Sequence, residues 1–366
     1  MTMRVLQVLG RSAGGVARHV AAITAALDGD GMTVDVAGPP DLPVAMPKPV
    51  APVVVPNGPV VGHRAAVARL RTIVDGRYDV VHAHGLRAGI DAALAARGRG
   101  VPVVVSVHNV VLADVVGRPR AALYGRAESL AVRLADRVVA ASEDIARRLR
   151  ARVPSAASKV EVVYLGVGDA PPATRPAGVV RAELGLGDGQ RLVVTAARLE
   201  PQKALHVMLR ALARLDPDVH LAILGRGPQE DELRALARRL GVAERVSWLG
   251  WRDDVADFVA AADVFCLSSV WEACALAAQE AMLLGTPVVS TDGGGMPELI
   301  DDRVGGRLVP VGDDAALASA LADVLSSPDD RVRYAAAARR RLAERFSTAI
   351  MLARLREVYA GAAASR

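Results

Sequence analysis

The sequence predicts an α/β protein of two doubly wound domains in tandem. Short β-branched runs alternate with longer stretches rich in Ala, Leu and Arg, which is typical of parallel strands covered by helices on both faces. The alternation occurs twice, and residues 164–190, which are rich in Pro and Gly, separate the two series. The length of 366 residues also favours two domains of ordinary size.

The first domain is predicted to span residues 1–168. Its predicted strands are residues 4–9, 33–37, 80–82, 101–107 and 137–141, and its helices are 16–27, 63–74, 123–134 and 143–150. The Pro-rich segment 39–59 is interpreted as a long loop.

The second domain, residues 169–345, repeats the pattern. Its predicted strands are residues 192–196, 220–224, 246–249, 264–267 and 287–290, and its helices are 204–215, 229–240, 254–260 and 276–284. Residues 313–360 are predicted to be helical with a break at Pro328.

Composition excludes several classes of protein. The net charge of +5 is compatible with contact to phosphates or to an anionic membrane surface. The scattered arginines and an aromatic content of 3% argue against a nucleic-acid binder. Cys266 and Cys274 lie in or beside apolar runs, which favours buried thiols over a disulfide or a metal site. With no cleavable signal and no long charge-free stretch, a cytoplasmic protein is expected.

Glycines and histidines mark the ends of strands in the first domain. Gly14 and Gly15 open a helix and would let a phosphate approach its amides, with an ordinary tight turn as the alternative. His82 and His84 are two residues apart on one strand, so their side chains should lie on the same face of the sheet. His84 lies at the carboxyl end, where open α/β sheets bind ligands. His108 repeats this placement, and for each histidine a purely structural role is the alternative.

Two cations and two glycines follow strands of the second domain. Arg198 and Lys203, in TAARLEPQKAL, are able to neutralise a diphosphate, and the alternative is a solvated surface pair. Gly225 and Gly227, in ILGRGP, permit a close approach to the backbone, which is common in α/β folds.

Glu272 and Glu280 stand eight residues apart in an apolar stretch. On a helix this spacing corresponds to a rise of about 12 Å, which suits hydroxyl groups at opposite ends of one long ligand rather than a close hydrolytic pair. Further along, the backbone amides of Gly294, Gly295 and Met296 are predicted to hold a phosphate or sugar hydroxyls.

The order of these segments resembles that of the retaining family 4 glycosyltransferases. The resemblance rests on VVHAHG, AARLEPQK, ILGRGP, two glutamates eight apart, and GGMPELI, and it covers nearly the whole chain. It implies the GT-B fold, in which two Rossmann-like domains face a central cleft. It also implies that the first domain binds the acceptor, that Gly15 lies beside the donor diphosphate and His84 near the transferred sugar, and that the helix from about Phe346 packs back on the first domain.

For the second domain, the resemblance implies binding of a UDP- or GDP-linked sugar without a cofactor or metal. Arg198 and Lys203 would grip the diphosphate, Glu272 would meet the sugar hydroxyls, and Glu280 would hold the ribose. The acceptor is expected to be a small molecule, a lipid-linked molecule or a glycan, and not a nucleic acid.

A lipid-linked acceptor would place the protein at the inner face of the cytoplasmic membrane. Arg118, Arg120 and Arg126 are candidates for contact with lipid phosphates, and an ordinary solvated helix face is the alternative.

The chain departs from the family pattern at several positions. Cys274 and Ala275 replace a Phe and a Gly after Glu272, and Ala204 replaces the Gly that usually follows Lys203. These departures concern the donor sugar more than the activity, because the charged residues remain. Two alternatives stay open: a catalytically weak module that binds a nucleotide sugar, and a sugar-nucleotide epimerase. A dehydrogenase is disfavoured because a GxGxxG motif with a downstream acid is lacking.

Overall fold

The structure is a computed structural model that describes residues 2–11, 15–29, 31–42, 44–56, 58, 61–112 and 117–365. The chain divides into two compact units. Unit 1 comprises Met1–Gly166 together with Thr348–Arg366, and unit 2 comprises Val167–Ser347.

Unit 1 is built on a parallel sheet with strand order β3-β2-β1-β4-β5-β6-β7. The strands are β1 (Met3–Leu9), β2 (Met32–Gly38), β3 (Pro49–Pro52), β4 (Val80–His84), β5 (Val103–Val107), β6 (Arg137–Ala140) and β7 (Val160–Val162). The central strands are buried on both faces, which explains why they are nearly continuous apolar runs.

Helices cover both faces of this sheet. They are α1 (Gly15–Leu27), α2 (His63–Ile73), α3 (Leu86–Ala96), α4 (Arg118–Leu134), α5 (Glu143–Arg152) and, from the end of the chain, α14 (Thr348–Ala364). Local chemistry sets the start of α5, where the Ser142 hydroxyl accepts from the amide of Ile145 at 3.3 Å and Glu143 follows in the first turn.

Unit 2 contains a second parallel sheet with strand order β10-β9-β8-β11-β12-β13. Its strands are β8 (Arg191–Ala196), β9 (Val219–Leu224), β10 (Val246–Gly250), β11 (Val264–Leu267), β12 (Val288–Thr291) and β13 (Arg307–Val309). Its helices are α6 (Ala177–Glu183), α7 (Leu205–Leu212), α8 (Glu230–Arg239), α9 (Val255–Ala261), α10 (Leu276–Leu284), α11 (Met296–Leu299), α12 (Asp314–Ser326) and α13 (Pro328–Arg345). Both sheets follow the doubly wound order, and the predicted fold class is confirmed.

The strands that the sequence did not predict are β3, β7 and β13, and each lies at the edge of its sheet. They have three or four residues, which is too short for periodicity to show. The interpretation of residues 39–59 as a loop is therefore wrong at β3, whose prolines are tolerated at an edge. Helix α3 was also not predicted.

The helical tail breaks where Pro328 begins α13, as predicted, and Ser327 caps that helix by accepting from the amide of Asp330. A second break, at residues 346–347, precedes α14. Helix α14 contributes Leu355, Val358 and Tyr359 to the core of unit 1. Among the described residues, no helix combines the length and apolar character needed to cross a bilayer.

Candidate active-site residues

In unit 2, Lys203 and Glu272 form a partly buried ion pair. Lys203 ends a short 3-10 turn after β8, and its Nζ donates to Glu272 Oε1 at 2.6 Å. The side chains of Lys203 and Glu272 are 23% and 11% exposed. The Ser269 hydroxyl donates to the same oxygen at 2.6 Å. An ammonium group has three donors, so Lys203 can hold Glu272 and an anionic ligand together.

Arg198, the second predicted cation, has a different partner. Its Nη2 donates to Glu200 Oε2 at 2.6 Å, and its side chain is 58% exposed. In unit 2, all of which the structure describes, Arg198 therefore pairs with a neighbour in its own loop rather than with Glu272. A role on the diphosphate requires this exposed guanidinium group to exchange partners, which is inexpensive at the surface.

The glycine segment after β12 supports the backbone of Glu272. The amide of Gly295 donates to the Glu272 carbonyl at 2.8 Å, and the amide of Glu272 donates to the Gly293 carbonyl at 3.3 Å. Gly294 adopts φ 72°, and a Cβ there would overlap the carbonyl oxygen of Glu272. We call residues 293–295 the glycine strap.

The Gly295 amide already donates to the protein, so a ligand would have to compete with the Glu272 carbonyl for it, and this contact stays a prediction. The following helix, α11, has a single turn of four residues, so its dipole gives little help to an anion. Contacts from Gly294 and Met296 remain predictions.

Gly225 has a structural role that the sequence left open. It adopts φ 131° at the end of β9, and a Cβ there would overlap the carbonyl of Ala197 in the loop after β8. Gly227 likewise makes room for the backbone of Leu199. These glycines let the loop that carries the predicted cations pass close to β9.

The two predicted glutamates do not share a helix. Glu272 lies in an isolated bridge with Gly294, and helix α10 begins at Leu276. The rise of about 12 Å estimated for eight helical residues is therefore wrong, because only part of the interval is helical. Glu280 is half-buried on α10.

Both cysteines are buried and free, as predicted. Burial raises the pKa of the Cys266 thiol, which makes it unreactive at neutral pH. Gln279 Nε2 lies 2.8 Å from the sulfur of Cys274, which occupies the position of the usual Phe.

Ala204, directly after Lys203, has a left-handed backbone with φ 45° and ψ 40°. We expect Ala204→Gly to raise the free energy of unfolding by about 0.5–1 kcal/mol, because relief of the left-handed strain exceeds the added chain entropy. Urea unfolding measures this.

The matched control is Ala211→Gly within α7, which should lower the free energy of unfolding by about 1 kcal/mol. Equal destabilisation by Ala204→Gly and Ala211→Gly would contradict the inferred backbone strain at Ala204.

In unit 1, the side chains of His82 and His84 lie together, as predicted for alternate residues of β4, with ring centroids 4.2 Å apart. His84 Nε2 lies 2.7 Å from Gln7 Oε1, and His84 Nδ1 lies 3.0 Å from His108 Nε2. Both ring nitrogens of His84, which is 5% exposed, are thus occupied by protein groups. His108 follows β5 and is less buried. His108 is therefore the more accessible of the two rings.

Burial keeps the four clustered histidines neutral. It lowers the pKa of His82 to about 3 and the pKa of His108 to about 4. Burial also holds the pKa values of His84 and His19 well below their usual range, and neighbouring imidazoles lower them further.

This neutrality makes unit 1 sensitive to acid. The unfolded chain binds protons near pH 6.5 and the folded chain does not, so the free energy of unfolding should fall between pH 7 and pH 5. The expected loss is about 2 kcal/mol for each histidine that stays neutral, measured by chemical unfolding at several pH values.

The variant His19→Leu should flatten this dependence. In the control His63→Gln the pH dependence of stability should not flatten. Burial alone would lower the pKa of His63, but the hydrogen bonds to the carbonyl of Gly58 and to Asp91 outweigh it, so that pKa is raised. Equal stability at pH 7 and pH 5 would contradict the prediction.

His19, His84 and His108 also form a group of possible metal ligands, with ligand atoms within 4.8 Å of one another. The direct hydrogen bond between His84 and His108 occupies two of these nitrogens, so a metal would have to replace it. The expected absence of a metal stays a prediction. Gly15 begins α1, and Gly14 lies outside the described residues.

Sequence reasoning missed Ser269, Gln7 and Tyr359. Ser269 was signalled only by a Ser-Ser turn after β11. Gln7 was signalled as a polar residue inside an apolar strand, VLQVL, and it is fully buried. Nothing in the helical tail distinguishes Tyr359.

Comparison with known proteins identifies the family. Residues 13–170 match the family model described as Glycosyltransferase Family 4, and residues 179–341 match Glycosyl transferases group 1. The chain is 36% identical over 312 residues to D-inositol 3-phosphate glycosyltransferase of Streptomyces scabiei, covering 78% of this chain and 69% of the relative. The chain belongs to the group 1 glycosyltransferases.

A second relative of this glycosyltransferase is the D-inositol 3-phosphate glycosyltransferase of Mycolicibacterium gilvum. It is 34% identical over 265 residues, which cover 69% of this chain and 60% of the relative. The chain thus spans about three fifths of the length of that relative.

Solved structures agree on the GT-B fold of this glycosyltransferase. Anabaena Alr3699/HepE in complex with UDP-glucose is 25% identical, with a TM-score of 0.79 over 98% of this chain and 100% of that one. Sucrose-phosphate synthase of Thermosynechococcus elongatus is 21% identical, with a TM-score of 0.82 over 100% of both chains.

Proposed function

We propose that the chain is a retaining, metal-independent glycosyltransferase that uses a UDP-linked sugar as donor. The observation that carries this is the pair formed by Lys203 and Glu272, held by Ser269 and the glycine strap at the carboxyl ends of β11 and β12. The UDP-glucose bound by the Anabaena neighbour supports UDP over GDP.

Lys203 supplies positive charge where the reaction develops negative charge. As the bond from the sugar to the diphosphate breaks, charge grows on the leaving phosphate oxygens, and a preorganised ammonium group stabilises them. Lys203 keeps Glu272 as a partner, so its position is set before the donor binds. Arg198 adds a second cation once it exchanges Glu200 for the diphosphate.

Glu272 and Glu280 recognise hydroxyl groups of the donor. Lys203 and Ser269 both bond to Oε1 of Glu272, so the carboxylate is fixed in orientation while it accepts from sugar hydroxyls. Glu280 accepts from the ribose. Retention follows if the leaving diphosphate takes the proton of the acceptor hydroxyl on the same face of the sugar. Lys203 and Arg198 neutralise the charge of the diphosphate, so a metal is not required for that purpose.

The acceptor binds to unit 1. The names of the relatives make a phosphorylated cyclitol the first acceptor to test. His108 is a suitable contact for an acceptor or sugar hydroxyl because it lies at the carboxyl end of β5 and is held by His84.

A lipid-linked acceptor is a second candidate. Helix α4 exposes Arg118, Arg120 and Arg126 together with Leu123 and Leu130, a combination that suits contact with an anionic membrane face. Flotation with vesicles of anionic and neutral lipid tests this, and a peripheral location at the inner membrane face follows only from binding to the anionic vesicles.

A catalytically weak donor-binding module is the alternative that a specific observation favours. Ala204 is strained beside Lys203, and Cys274 stands where the family has Phe, so the loops around the sugar differ from the usual pattern. Such a module would bind UDP and its sugars yet transfer nothing.

Thermal unfolding with UDP, GDP, ADP and their sugar conjugates, all with EDTA, tests donor binding. A ligand at one hundred times its Kd stabilises the fold by about 2.7 kcal/mol, so the donor base should be evident. Transfer to inositol 3-phosphate, followed by NMR of the product anomer, then tests the reaction. Stabilisation without transfer to any acceptor favours the binding module, and conversion of the donor sugar without an acceptor favours the epimerase.

A further inference from the structure

The hydroxyl group of Tyr359 joins two strands of the unit 1 sheet. Tyr359 lies on α14 and is fully buried. Gln7 Nε2, on β1, donates to its oxygen at 3.1 Å, and His82 Nδ1, on β4, lies 2.7 Å from the same oxygen. Gln7 approaches this oxygen with its NH2 group, so among the described residues His82 Nδ1 is the one acceptor within hydrogen-bond distance of the hydroxyl. The single hydroxyl proton is therefore donated to His82 Nδ1.

This arrangement gives each neighbouring histidine one tautomer. Because His82 Nδ1 accepts, His82 Nε2 carries the proton and donates to the Ser106 hydroxyl oxygen at 2.7 Å. On the other side, Gln7 Oε1 accepts from His84 Nε2 at 2.7 Å, which leaves the lone pair of His84 on Nδ1. That lone pair accepts from His108 Nε2 at 3.0 Å. The donations therefore run in one direction, from His108 through His84, Gln7 and Tyr359 to His82 and Ser106.

The first donor of the series is His108, and its other ring nitrogen is Nδ1. Because Nε2 carries the proton, Nδ1 is an acceptor, and it is buried without a hydrogen-bond partner among the described residues. An unpartnered buried acceptor is costly, and a hydroxyl donor from a ligand would satisfy it.

We propose that Tyr359 and Gln7 are positioning residues that set the tautomers of His84 and His108, so that His108 presents Nδ1 as a hydrogen-bond acceptor. The hydroxyl group of Tyr359, on α14, thereby controls which ring nitrogen of His108, just after β5, carries the proton. The effect on the rate of transfer rests on the proposed function, whereas the tautomers themselves do not.

Proton-coupled nitrogen NMR of the imidazole rings, recorded on the full chain near pH 7, tests the tautomers. The wild type should show His82, His84 and His108 each as a single neutral tautomer, with the proton on Nε2. In Tyr359→Phe, His82 and Gln7 lose their common partner, and the rings should show mixed tautomers. A protonated Nδ1 on His108 in the wild type, or unchanged tautomers in Tyr359→Phe, would overturn the proposal.

The matched control is Tyr78→Phe. Tyr78 is a buried tyrosine of the same unit, and its hydroxyl donates to Asp35 Oδ2 at 2.9 Å rather than to a histidine. Tyr359→Phe loses two hydrogen bonds to neutral groups, and Tyr78→Phe loses one to a carboxylate. A hydrogen bond to a charged group contributes about as much as two neutral ones, so a merely structural effect should be similar in both. Only Tyr359→Phe should alter the imidazole spectra.

Kinetics provide the second readout. We expect Tyr359→Phe to lower kcat about tenfold, with the donor KM and the stabilisation by UDP unchanged, because unit 2 is intact. Gln7→Leu should reproduce the spectral change if Tyr359→Phe folds poorly. If the wild type transfers no sugar, the proposed function fails, and the spectra still decide whether Tyr359 sets the tautomers. A kcat equal to that of Tyr78→Phe would overturn the link to transfer.

Discussion

Lys203→Met is expected to lower the rate of sugar transfer about a thousandfold, because preorganised charge on the leaving group is among the largest contributions to catalysis. It should also remove most of the thermal stabilisation by UDP, since the ammonium group is the counter-charge that we propose for the diphosphate. Steady-state transfer and thermal unfolding with UDP measure the two effects.

Stability and catalysis can be separated at this pair. Lys203→Met leaves the Glu272 carboxylate with Ser269 as its recorded partner, and the loss of a charged partner costs about 1–3 kcal/mol. The double variant Lys203→Met with Glu272→Gln removes the unpaired charge and should recover most of that stability without recovering transfer. Recovery of both would show that Lys203 acts only through folding.

Arg214→Met is the matched control for the loss of a cation. Arg214 Nε pairs with Asp314 at 2.7 Å on the surface of unit 2. Surface pairs contribute little, so stability and transfer should remain near those of the wild type. A comparable loss of transfer in this control would mean that net charge, rather than the position of Lys203, is responsible.

Gly294→Ala should have the second largest effect. The new Cβ would overlap the Glu272 carbonyl, and the left-handed backbone adds strain, so we expect a loss of about 3 kcal/mol in the free energy of unfolding. Displacement of Glu272 by a fraction of an ångström should lower transfer about a hundredfold. Urea unfolding and initial rates are the measurements.

Gly312→Ala separates the effect of backbone strain from the effect of steric overlap with the new Cβ. Gly312 has a similar left-handed φ of 82°, with open space where the Cβ would lie. It should cost about 1–2 kcal/mol and leave transfer unchanged. If Gly294→Ala cost no more than Gly312→Ala, the close approach of the glycine strap to Glu272 would be refuted.

The interior of both sheets was predictable from the sequence, and the edges were not. Strands such as β5 and β11 are buried on both faces and therefore appear as apolar runs. Strands β7 and β13 have three residues each, and three residues contain no period. Their pairing depends on a neighbouring strand that is remote in the sequence.

The candidate site shows the same limit. Sequence motifs single out Lys203 and Glu272 separately, and only the structure shows that they form an ion pair. The pattern of three glycines at the strap does not reveal whether a ligand or the protein's own carbonyl approaches, and at Gly295 it is the carbonyl of Glu272. The contact between Gln7 and Tyr359 spans 352 residues, so no local pattern predicts it.

The division of unit 1 between the two parts of the chain has a consequence for biosynthesis. Domains usually fold in order as they leave the ribosome, with the N-terminal one first. Here unit 2 is an uninterrupted segment, whereas unit 1 lacks α14 until the residues after Ser347 have been synthesised. The first part of unit 1 must therefore wait for the whole of unit 2. During translation the histidines of β4 and of the segment after β5 precede their tyrosine by more than two hundred residues, so unit 2 can be complete before the histidine cluster of unit 1 is.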